Sequence, residues 1–248
     1  MSSTSMTGGA AEPSASILWK FIVFWPFSLV VPWILLTAVR AAIFAIGPEE
    51  VAYQAAVLLP ILSWLLIAYL QFRLLRPHLR RGRLWLIATF VGGNLGGFIG
   101  GLAQIWMAPM VEGFVIGGEN MPEWLFLYHP AVSIVAAVPI GTALLGFLQS
   151  FCLDDTLGRR LLWPFASVVA GFVGALFGYA CYFAYGRFMF EFYPEFVFGG
   201  GLISIVITIS VGTIGGMIVY GLLTGIVLRW LLLRGARRQK EALIARFE

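Results

Sequence analysis

From Leu84 to Val111 the chain runs for 28 residues without an Asp, Glu, Lys or Arg. A helix needs about 20 apolar residues to cross the hydrocarbon core of a bilayer. Six runs meet that length: about 17–45, 51–72, 84–108, 131–153, 161–186 and 198–229. Charged residues make up 11% of the chain, against about 25% in a soluble domain. The mean hydropathy of +0.91 agrees. None of the runs has the ten-residue alternation of an outer-membrane barrel. The expected fold class is therefore an all-α integral membrane protein with six transmembrane helices.

The connections sort by charge. Lys20, Arg73, Arg76, Arg80, Arg81, Arg83, Arg159, Arg160, Arg229, Arg234, Arg237, Arg238, Lys240 and Arg246 fall on one side. Arg40 and Arg187 fall on the other, with Glu49, Glu50, Glu112, Glu119, Glu123, Glu191 and Glu195. Positive charge is retained on the cytoplasmic face, so the expectation is a multi-pass protein of a bacterial inner membrane with both termini cytoplasmic. The pI near 9.3 thus reflects orientation and gives no reason to expect a nucleic-acid partner. Residues 1–15 are small and polar and read as a disordered cytoplasmic tail. Residues 16–232 form the transmembrane domain. Residues 233–248 read as a basic tail helix that anionic headgroups attract. Trp19, Trp85, Trp163 and Trp230 stand beside basic clusters, and Trp106 and Trp124 flank the long outer loop, as in an interfacial belt.

The chain also repeats itself. Residues 68–100 align with 146–178 without a gap. Gln71, Leu75, Arg81, Trp85, Gly93, Gly96 and Gly100 recur as Gln149, Leu153, Arg159, Trp163, Gly171, Gly174 and Gly178. A third partial copy, GLLTGIVLRW at 221–230, puts Thr224 in the glutamine's place, and Trp19 is the candidate partner of Trp85 and Trp163. Three tandem helical hairpins of like orientation follow, related by an axis along the membrane normal.

Glycine is frequent where a helix is needed. Gly92, Gly96 and Gly100 recur every four residues, with Gly93, Gly97 and Gly101 as a second ridge. Gly174 and Gly178, then Gly212 and Gly216, keep the spacing. Each glycine costs about 1 kcal/mol in a helix interior in water. In lipid the helix survives that cost because the backbone has no other partner. A bare stripe lets another helix approach closely, where packing and weak Cα–H···O contacts hold it. These glycines are read as packing faces. The first reading is that they pack helices of the same chain; the alternative is that on the third span one ridge does so and the other is left for another chain, a lipid or a flat pigment.

Chemistry is sparse. No span has an acidic residue in its middle third, and no Ser/His/Asp set, HExxH or phosphate loop occurs. Cys152 and Cys181 read as small buried hydrophobes. His78 and His129 are assigned to opposite faces; His129 is the one candidate ligand for a (bacterio)chlorophyll. The intramembrane polar residues are amides and hydroxyls, expected to bond between helices. Among them Gln71, Gln149 and Thr224 are candidates for a polar vestibule. The loop at 108–130 is acidic yet apolar enough to lie on the membrane or under a partner.

The repeated unit, with Gln71, Arg76 and Trp85, then Gln149, Arg159 and Trp163, and the closing TGIVLRWLL at 224–232, resembles multi-spanning membrane proteins of Chloroflexota and cyanobacteria. The likeness covers about residues 60–232. Those proteins often have Gln-Trp where this chain has Gln71-Phe72 and Gln149-Ser150. The resemblance implies architecture and carries no activity. The leading expectation is a non-catalytic accessory or scaffold subunit of a larger inner-membrane complex, photosynthetic or respiratory. Its partners would be membrane lipids and other integral subunits, with lipid, bacteriochlorophyll or carotenoid as bound groups. The alternative is a permease or channel for a small neutral solute.

Overall fold

The computed structural model describes residues 15–79, 81–115, 129–153, 157–193 and 201–245. Among them the chain forms six α-helices and no strand. They are α1 (Ala15–Ile46), α2 (Glu49–Leu75), α3 (Gly82–Val115), α4 (His129–Ser150), α5 (Leu157–Phe192) and α6 (Gly201–Ile244). Five contain apolar segments long enough to cross a membrane, and α4 contributes a shorter one at Ala137–Ser150. At about 1.5 Å per residue even the 22-residue α4 is about 33 Å long. Helix is the form that closes every backbone hydrogen bond within its own segment, as lipid demands. α6 passes without a break from the sixth span into the basic tail. The central part of the outer loop, 116–128, and the N-terminal tail, 1–14, lie outside the described residues.

The helices make a ring. Each packs on its neighbours in the chain, and α1 packs on α6 to close the circuit. Contacts between named residues show adjacent helices to be antiparallel. Trp25 of α1 is level with Thr224 of α6, Gln71 of α2 with Trp85 of α3, and Gln149 of α4 with Trp163 of α5. The start of α1, the α2–α3 turn, the end of α4, the start of α5 and the late part of α6 therefore share one end of the ring, and it is the basic end.

The core gathers at that end. Phe21, Trp25, Leu75, Leu79, Trp85, Cys152, Leu153, Trp163, Leu228 and Leu231 form one buried cluster. It is layered by threefold repetition. Leu75, Leu153 and Leu228 are equivalent, and so are Ala68, Gly146 and Gly221; all six are buried. Thr89 and Ser167 are wholly buried, and their equivalent on α1 is Leu29, 2% exposed. The repeat units are thus α2–α3, α4–α5 and a third that is divided between the chain's two ends, α6 and α1. The exterior is apolar. Phe24, Phe27, Leu35, Phe98, Phe165 and Phe177 are among many large hydrophobic side chains that face outward, which is what a surface in contact with lipid requires.

Candidate docking face and tryptophan core

The three copies meet in a chain of indoles. Trp25 and Trp85 lie 6.0 Å apart between ring centroids, and Trp85 and Trp163 lie 5.8 Å apart. Phe21 stacks on Trp25 at 5.3 Å. Each indole is pinned by the polar side chain of the preceding helix in the ring. Trp85 Nε1 donates to Gln71 Oε1 at 3.2 Å, Trp163 Nε1 to Gln149 Oε1 at 3.1 Å, and Trp25 Nε1 to Thr224 Oγ1 at 3.1 Å. Gln149 also donates from Nε2 to Thr89 Oγ1 at 2.9 Å, tying α4 to α3 as well as to α5. Thr224 passes its own proton to the Tyr220 carbonyl at 2.7 Å. A buried indole N–H needs an acceptor, and the repeat supplies one each time.

This arrangement differs from two sequence expectations. Trp85 and Trp163 do not face outward as belt residues would; they are 0% and 1% exposed and belong to the buried cluster. The position offered to Trp19 belongs to Trp25, and Trp19 is 60% exposed. The signal was present in the sequence: WPFSLVV at 25–31 matches WPFASVV at 163–169. Gln71, Gln149 and Thr224 sit level with one another, as the repeat implied. They are 3%, 2% and 1% exposed, and the indoles occupy their acceptor oxygens.

The glycines divide by face. On α3 the ridge Gly92, Gly96, Gly100 packs on α4. A Cβ built at Gly96 would stand 2.5 Å from the Gly141 carbonyl oxygen, and one at Gly92 would stand 3.1 Å from Leu145 Cα. At Gly100 the nearest atom is the Ala137 carbonyl oxygen, at 3.4 Å. On α5 and α6, Gly174 and Gly178 meet Gly216 and Gly212. A Cβ at Gly174 would stand 2.7 Å from Gly216 O, and one at Gly178 would stand 2.6 Å from Gly212 O. These backbones touch at distances that no side chain permits.

The second ridge of α3 behaves differently. Gly93 lies under the Trp64 indole of α2, whose atoms fill the place of a Cβ. Among the described residues, only the edge of that indole comes near Gly97, at 4.0 Å, and nothing lies within 4 Å of a Cβ at Gly101. Around these two glycines Phe98, Leu102, Ile105 and Trp106 face outward, Trp106 being 76% exposed. The ridge thus starts inside the ring and ends on its outer surface.

His129 is the first residue of α4, and its side chain lies outside the described residues. Cys152 is buried in the core, and burial pushes its thiol up to about 11 although Arg81 draws it the other way. His78, in the α2–α3 turn, is held below the usual imidazole range by burial. No group of three or more potential metal ligands occurs among the described residues. No protein-family model, curated protein or solved structure matches this chain.

Proposed function

We propose that this protein is a non-catalytic accessory or scaffold subunit of a larger inner-membrane assembly, and that the outer half of α3 is its docking face. The observation that carries the reading is the open strip at Gly97 and Gly101. The other ridges spend their smoothness on helices of the same chain, whereas no described residue lies against the end of this strip. Exposed Phe98, Ile105 and Trp106 flank it. In lipid, close backbone approach is a main source of helix affinity, so an uncovered ridge is a place for a partner helix or a flat pigment. The basic end faces the cytoplasm in this reading, with both termini there. A membrane-lying outer loop would then extend the docking face.

The test is isolation in mild detergent, with an absorption spectrum of whatever accompanies the protein. A stoichiometric membrane partner that is lost with Gly97→Leu/Gly101→Leu supports the proposal. Native protein that runs alone removes it. The permease alternative draws on the closed ring of helices, which is the geometry a central path would use. The indole layer and the occupied oxygens of Gln71, Gln149 and Thr224 weigh against it. Counterflow uptake in liposomes, abolished by Gln71→Leu/Gln149→Leu, would favour the permease.

A further inference from the structure

A cavity of about 550 Å³ opens beside the α2–α3 turn at the basic end. Arg76, Arg81 and Arg83 line it, together with Phe72, Leu79 and Leu84. All three arginines are exposed, and none of the described lining residues is acidic. Three arginines lining one hollow give it a positive charge that an anion would offset. Their planar forks match the oxygens of a phosphate. The rest of the wall is apolar: Phe72 is in the last turn of α2, and Leu84, 47% exposed, is in the first turn of α3. Both stand where the chain leaves and re-enters the apolar zone. A ligand suited to both halves carries a phosphate at one end and a hydrocarbon portion at the other.

The threefold repeat supplies an internal comparison. The equivalent of Arg76 at the α6–α1 joint is Arg229, and there the Trp19 ring lies over the guanidinium at 5.2 Å. At the α4–α5 joint the equivalent residue is Asp154, a carboxylate. The residue at this position thus differs from joint to joint: an arginine on the cavity, an arginine under an indole, and an aspartate.

We propose that this cavity binds the phosphate of an anionic phospholipid, with Arg76, Arg81 and Arg83 on the headgroup and Phe72, Leu79 and Leu84 along its glycerol and upper acyl portion. The site is distinct from the α3 docking strip and stands or falls apart from it. The test uses the full chain in mild detergent and native mass spectrometry, with phosphatidylglycerol, phosphatidylcholine and inorganic phosphate as probes. Phosphatidylglycerol is retained in preference to phosphatidylcholine, and millimolar inorganic phosphate does not displace it. Arg76→Gln/Arg81→Gln/Arg83→Gln weakens retention by about fivefold per arginine. The control Arg234→Gln/Arg237→Gln/Arg238→Gln removes the same charge elsewhere at the basic end and leaves retention unchanged. If the triple variant does not fold, Arg83→Gln alone carries the test with its single fivefold loss. Equal loss in both triple variants, equal retention of phosphatidylcholine, or displacement by inorganic phosphate overturns the proposal.

Discussion

Gln149 joins three helices with one side chain, accepting from Trp163 on α5 and donating to Thr89 on α3. Replacing it with Leu leaves a buried indole N–H and a buried hydroxyl without their partner. The expected loss is about 1–3 kcal/mol, at the low end where the unfolded chain finds other partners in the membrane. In a double-mutant cycle, Trp163→Phe costs less in the Gln149→Leu background than in the native one, read by unfolding in mixed micelles; equal costs would separate the two residues. Cys152 gives a second test at this scale. With the thiol raised from 9.0 to about 11, its thiolate population at pH 8 falls about a hundredfold. Alkylation should be slow in the folded protein and fast after denaturation. Burial disfavours the thiolate, so below about pH 9 the group has no effect on stability, and the fold loses stability as pH rises from about 9 to about 11. The repeat made Gln71 and Gln149 visible as equivalents in the sequence. Their tryptophan partners were not, because a separation of 14 residues crosses a turn whose geometry the sequence pattern does not state. A basic neighbour also makes an indole look interfacial whether the turn folds it outward or inward.

At the scale of helices, spacing by four told which glycines share a face. It did not tell what each face meets. Gly92, Gly96 and Gly100 look the same in sequence as Gly93, Gly97 and Gly101, since a ridge without side chains carries no label for its partner. The structure separates them by contact, and substitution tests the separation. Gly96→Ala drives a methyl into the Gly141 carbonyl, so it should destabilise the α3–α4 pair by about 1–3 kcal/mol. Gly101→Ala meets no described residue within 4 Å and should be neutral or stabilising by up to about 1 kcal/mol, as the helix-propensity gain predicts. Thermal unfolding of the isolated protein in detergent measures both. A loss at Gly101 equal to that at Gly96 would mean that the open strip is already packed in solution.

For the whole molecule, six apolar runs and their charged flanks were enough to read an all-helical membrane protein and the repeat that organises it. The closure was not legible. The third copy is divided between the ends of the chain, so no contiguous stretch displays it, and the match of 25–31 with 163–169 has meaning only once α1 lies beside α6. Closure also decides which surfaces are left for partners, because it covers Gly221 and Gly225 of α6 with α1: a Cβ at Gly221 would stand 3.0 Å from Pro26 Cβ, and one at Gly225 would stand 3.4 Å from Trp25 Cβ. The most direct measurement is therefore a cross-link between the two ends. In a background of Cys152→Ser/Cys181→Ala, the pair Trp25→Cys/Gly225→Cys places two Cβ atoms 3.4 Å apart, close to the spacing of a disulfide. Mild oxidation should give a single intramolecular bond in monomeric protein, shown by mass spectrometry of the linked peptides. Failure to form that bond, or bonds only between separate molecules, would contradict a ring closed by α1 on α6.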